Sequence, residues 1–321
     1  MMFQRLLPLV LIALAASSPG QAQSVETPQQ DAAASQVEDV LVQGLRNDQI
    51  AQQFASTVGA PAPGRKLAVW RMPICVGTVG MRDEPARAMI DRVSDWGHSL
   101  GLRIGAPGCR PNILIVTAEN GDEAARSMAV THRRVFRTGT SGTTAGAAAL
   151  RAFQTSGRPI RWWHTSMPIK TATGKPAVRV RGEDPFGVSG EIRTPADLGP
   201  YGVIVQPSRL RDETQDDLRQ TLIILENSAL DQADFMQVAD YVAMVALAQI
   251  SADTSPPTAS ILHLFDGAKA PSETLTAWDQ AYLQALYASD QSKASQGANE
   301  ATIASAMVRI VERDNAASQA D

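Results

Sequence analysis

Apolar and polar positions along this chain follow two periods, and the switches between them outline the elements. Ile113-Leu114-Ile115-Val116 is a continuous apolar run bounded by Arg110-Pro111-Asn112, which predicts a central strand covered on both faces. Leu67, Val69 and Met72 suit an earlier strand leading through Pro73 to Cys75. Between the two, Asp83-Glu84-Pro85 opens a helix whose apolar face is Met89, Ile90, Val93 and Trp96-Gly97, fading by Gly101. Gly121-Asp122 introduces a second helix through Met128 to Phe136. Arg161-Trp162-Trp163-His164 suits a strand. Alternation sends its two tryptophans to opposite faces, one into the core and one partly exposed.

Farther on, Ile169 to Tyr201 is rich in Gly, Pro and charge and predicts an irregular excursion with short strands. Val203-Ile204-Val205 and Thr221 to Leu225 are strand candidates separated by the polar stretch Asp212 to Asp217. Phe235, Val238, Val242 and Val245 recur at helical spacing within Gln232 to Gln249, and Pro256-Pro257 prevents continuation. Thr276 to Ala288 pairs Trp278 with Tyr282 and Leu283 with Tyr287, four apart on a helix. A terminal helix over Asn299 to Glu312 carries Ile303, Met307, Ile310 and Val311. Ahead of all these, Ile50, Phe54 and Val58 mark a short helix from Asp48.

The expected fold is therefore α+β: one domain with a mixed sheet and flanking helices, a flexible N-terminal arm and a C-terminal tail. The boundaries read 1–22, 23–64, 65–288 and 289–321 for signal peptide, linker, globular domain, and spacer with short helix and tail.

The first segment has the layout of a secretory signal: Arg5, an apolar run from Leu6 to Ala16, and Gly20-Gln21-Ala22 at the cleavage region. The run is too short to span a membrane, which takes roughly 20 residues. The next apolar stretch, Val238 to Ile250, is interrupted by Asp240, Tyr241 and Gln249 and reads as a buried helix. No cysteine sits just after the cleavage region, so no lipid anchor is expected. The implied location is periplasmic or secreted. Loss of Arg5 takes the formal charge from −4 to −5, which gives no pull toward nucleic acid or anionic lipid. Arg133-Arg134-Arg137 fits a solvated helix end.

Export changes the reading of the two cysteines. Cys75 and Cys109 become a disulfide, joining the end of the first strand to the start of the second. A bonded sulfur is no nucleophile. The four histidines, His98, His132, His164 and His263, lack the HExxH spacing, and no metal or cofactor is expected. Gly187-Val188-Ser189-Gly190 lacks the last glycine of a nucleophile elbow. Gly139 to Gly146 has the composition of a phosphate loop without its GK[ST] ending. What remains is a candidate ligand cleft of Trp163, His164 and Asp240. Asp240 interrupts an apolar helix, so it caps, pairs with an arginine or faces the cleft, with pairing the favoured reading.

Two stretches carry resemblances. Val37 to Arg46, VEDVLVQGLR, resembles the segment that follows the signal in many TonB-dependent receptors, with Gln43 in place of threonine. That likeness implies a short extended stretch that adds to a partner as a strand. Gln237 to Tyr287, running QVADYVAMVALAQI, SILHLFDG and LTAWDQAYLQALY, resembles exported bacterial proteins of unknown function with a zincin-like, degenerate peptidase architecture. There the resemblance puts Gln237 and Tyr241 at the metal-ligand positions, where neither holds zinc in the expected way. The expected function is a non-catalytic cell-envelope binding or accessory protein, with its arm reaching an envelope partner. The rival is an envelope hydrolase, peptidase-like, using the cleft.

Overall fold

The structure, a computed structural model, describes residues 46–62, 65–133, 135–136, 145–179, 203–205, 213–267, 272–289 and 295–319, all within one compact unit. Residues 1–22, read as a signal, most of the receptor-like segment, the 187–190 fragment and most of the 139–146 loop lie outside the described residues.

Four strands form the main sheet in the order β1-β2-β6-β3: β1 (Val76–Val79), β2 (Ile113–Ala118), β6 (Thr214–Glu226) and β3 (Ile160–Lys170). β1, β2 and β6 are parallel, and β3 runs antiparallel to β6, so the sheet is mixed. A separate parallel pair joins β4 (Ala177–Arg179) and β5 (Val203–Val205). The helices are α1 (46–58), α2 (Asp83–Ser99), α3 (Gly121–Thr131), α4 (Ala147–Thr155), α5 (Asn227–Gln232), α6 (Phe235–Leu247), α7 (Ala277–Ala288) and α8 (Gln296–Ser318). The expected α+β fold is what the chain adopts.

Alternation along the strands divides the interior in two. Ile113, Ile115, Ile160, Trp162, Ile223 and Leu225 enter the large core, which also takes in α1, α2, α6, α7 and α8. Val116, Trp163, Leu222 and Ile224 face the smaller core under α3 and α4. Because helices cover both faces, both tryptophans are buried, Trp163 at 3 % exposure. The partly exposed tryptophan expected from strand alternation does not occur: Phe136 and Phe153 stack beside Trp163 at centroid distances of 5.7 and 5.9 Å. Helix α6 is buried on every side from Val238 to Leu247, as apolar residues on all its faces require, with Asp240 the charged exception.

Three expectations are corrected. Residues 67–72 do not form a strand; Val69 makes only a bridge to Asp217, and β1 begins after Cys75. Residues 46–62 are not linker, because Ala51, Phe54, Ala55 and Val58 of α1 are fully buried in the large core. The terminal helix is longer than expected, and Ile303, Met307 and Val311 bury its inner face.

The disulfide is present. Cys75 and Cys109 have a Cα separation of 6.1 Å. They precede β1 and β2, so the bond ties the starts of two neighbouring parallel strands rather than an end to a start. Asn112 braces the same corner, accepting from the Cys75 amide at 2.8 Å and donating to the Pro73 carbonyl at 3.0 Å. Gly105 is needed there, since a β-carbon would lie 2.7 Å from the Cys109 sulfur.

Candidate functional site

Helix α6 begins with a capping box in which Asp234 and Gln237 satisfy each other's ends. That start fixes the rotation of the helix and presents Asp240 to α2. There Arg92 and Trp96, one helical turn apart, share a face. Arg92 grips the carboxylate with two bonds, Nε to Oδ1 at 2.5 Å and an η-nitrogen to Oδ2 at 2.8 Å. Trp96 Nε1 donates to Oδ1 and Thr274 Oγ1 to Oδ2, each at 2.7 Å. The guanidinium also lies over the Trp96 ring, 5.3 Å from its centroid. Hydrogen bonding to Asp240 raises the Arg92 pKa. Asp240 is fully buried with both oxygens occupied, which is the arginine-paired alternative.

His164 belongs to a different place. It projects from β3 beside a cavity of about 180 Å³. Trp163, Ala149, Phe153, Arg158, Ile250 and Asp253 are among the lining residues; Asp240 is not. The three candidate cleft residues thus divide: Trp163 and His164 share a cavity, while Asp240 turns toward α2. His164 Nε2 lies 2.7 Å from the Val245 carbonyl oxygen, which can only accept, so Nε2 carries the proton and Nδ1 is left as an acceptor. Burial drives its pKa from 6.5 down to about 4, against the opposing pull of that carbonyl. The ring is a neutral structural donor at neutral pH.

This shift has a measurable sign. Between pH 6.5 and 4 the unfolded chain binds a proton that folded His164 refuses. The contribution is complete above the unfolded value and is lost as pH falls, by at most about 2.5 kcal/mol at pH 4.5. Urea unfolding at pH 7 and 4.5 checks it. His164→Gln flattens the dependence by that amount, and an unchanged slope refutes the assignment.

The other histidines do not join these groups. His98 and His132 are exposed, and His263 contacts Asp266 and the carbonyls of Pro256 and Thr258. Among the described residues, no three His, Cys, Asp or Glu side chains are placed to hold a metal. Gln237 is spent on the capping box and on the Ser272 carbonyl at 2.9 Å. Tyr241 packs edge-on against Trp162 and Phe265.

Sequence reading missed two polar clusters. Asp216 and Asp217 lie in the first half of β6, where Arg65 and Arg71 pair with them at 2.6 Å. Asp279, fully buried in α7, accepts from Ser260 Oγ at 2.5 Å and from the amides of Ile261 and Thr276, both at 2.9 Å. Burial raises its pKa and these bonds oppose the rise. The TxxD pattern at Thr276 was the available signal for a cap; nothing near Asp216 pointed to arginines about 150 residues away.

Comparison with known proteins adds no assignment: no family model matches the chain, and no curated protein or solved structure matches it.

Proposed function

We propose that this chain is an exported, non-catalytic binding or accessory protein of the cell envelope. The observation that carries the reading is the commitment of the two candidate catalytic groups. Asp240 is neutralised by Arg92, and the His164 proton is held by a main-chain carbonyl. A general base needs a free nitrogen of suitable pKa within reach of its proton donor, and a pKa near 4 makes His164 a poor one at neutral pH. The disulfide and the signal-like first 22 residues support a periplasmic or secreted location.

The N-terminal arm is the proposed tether to an envelope partner. A deletion that tests it must stop at residue 44, because α1 is core. Chains with and without 23–44 are used to capture envelope proteins from extract. The reading predicts recovery of a specific partner that falls at least about tenfold in the shortened chain, the order expected when one short strand contact is removed. Equal recovery would remove the tether.

A further inference from the structure

The cavity beside β3 has a buried floor and an open mouth. Ile160, Trp162, Gln249 and Ile250 line it and are buried. Ala145, Ala152 and Asp253 also line it and are exposed, so solvent reaches the space from that side. Its volume of about 180 Å³ is slightly larger than the roughly 150 Å³ apolar cavity that takes up a benzene molecule. One aromatic ring with a short arm is the size of occupant that fits. Phe153, Trp162 and Trp163 in the lining favour an aromatic one.

Most polar side chains of the lining are already spent on the protein. Trp162 Nε1 donates to the Ile250 carbonyl at 2.9 Å. The Gln249 side chain accepts from the Ala68 amide at 2.7 Å and donates to Ser166 Oγ at 3.4 Å. Arg161 is held by Asp122 and Glu226. His164 and Arg158 keep capacity to spare. His164 is half-buried, and its Nε2 is committed to the Val245 carbonyl. Its Nδ1 has no partner among the described residues and is not sealed from solvent, so it opens as an acceptor on the cavity that the ring lines. Arg158 has only a weak hold on Asp253, at 3.4 Å with that carboxylate 89 % exposed. A guanidinium at the mouth calls for an anion, and a neutral acceptor inside calls for a donor. The two residues are six positions apart along the chain, so an occupant that meets both is elongated.

We propose that this cavity binds a small aromatic acid, with its ring against the apolar walls, its carboxylate on Arg158 and a hydroxyl or ring N–H donating to His164 Nδ1. The inference rests on the binding-protein reading and names a ligand class for it. Few polar groups on mostly apolar walls fix the orientation of such a ligand.

The probes are para-hydroxyphenyl acids with the carboxyl group on the ring, one methylene away or two methylenes away. Each is paired with its carboxamide and with its analogue lacking the hydroxyl. Isothermal titration calorimetry of the purified chain measures the affinities. At least one acid is expected to bind, and to bind at least about fivefold more tightly than its carboxamide, the worth of a charged contact that water partly screens. Loss of the hydroxyl weakens it at least about threefold, as removal of one neutral hydrogen bond does. Arg158→Gln abolishes the preference for acid over carboxamide and leaves the preference for the hydroxyl. Ala149→Leu puts bulk into the cavity and abolishes binding, while an unchanged near-ultraviolet circular dichroism spectrum shows that the fold is intact. No binding by any acid, equal binding of acid and carboxamide, or binding indifferent to both substitutions would overturn the proposal. Capture of a partner through the arm is read separately, so failure here strikes the cavity's ligand and not the binding-protein reading.

Discussion

Arg92→Met lowers the unfolding free energy by about 3 kcal/mol. Removing one partner of a buried ion pair strands the other, which typically costs about 3–5 kcal/mol. The lower end applies here because the Arg92 side chain is 29 % exposed and water can partly replace it, while Asp240 is buried to 1 %. Arg92→Lys recovers only part of the loss, since an ammonium cannot reproduce the two-pronged contact at 2.5 and 2.8 Å. The double variant Arg92→Met/Asp240→Leu is the sharper check. With both charges gone no buried carboxylate remains, and stability returns toward that of the parent, less the unpaired Trp96 and Thr274 donors. Urea unfolding of the set measures this. A double variant as unstable as the sum of the single ones would show that the pair is not the source of the loss.

Reduction of the Cys75–Cys109 disulfide, or its replacement by two alanines, costs about 4 kcal/mol. The cysteines are 34 positions apart, and chain-entropy closure of a loop that size gives this figure. Part of the corner survives reduction. The Ile74 amide donates to the Arg103 carbonyl at 2.9 Å, and the Gly105 amide to the Ile74 carbonyl at 2.7 Å. Opening should therefore reach the turn at residues 106–110, beyond those two bonds, first. Hydrogen exchange with and without reductant locates it. A stability change below about 1 kcal/mol would contradict the closure model.

The elements legible in sequence share one property: their signal is local. Ile113 to Val116 reads as a covered strand because both its faces are covered, by α2 and α6 on one side and α3 on the other. Asp83-Glu84-Pro85 announces α2 because helix starts have their own chemistry. Illegible features depend on distant partners. Thr214 to Asp217 looks like a polar loop, yet Asp216 is buried because Arg65 neutralises it from across the chain. Residues 67–72 have strand-like spacing, but Trp70 is drawn off to bond the Ala246 carbonyl at 2.9 Å, with only Val69 left to bridge β6. Trp163 is covered by α4 and the Phe136 region, which a single strand does not encode.

For the candidate cleft, the pattern identified residues of consequence without their grouping. Asp240 stood out as a carboxylate in an apolar helix, but its partners Arg92 and Trp96 lie on α2, 148 and 144 residues away, and nothing local in the sequence pointed to them. His164 and Trp163 fell together by adjacency in one strand. Whether the carboxylate joined them depended on the rotation of α6 against the sheet, which the Asp234 cap and the packing of α2 determine.

Turnover tests the central claim most directly. The purified chain is incubated with muropeptides and with a mixture of unstructured peptides at pH 7, and products are followed by mass spectrometry beside His164→Gln. The account predicts no product above background in either sample. Product formed by the parent chain and abolished in His164→Gln would contradict it.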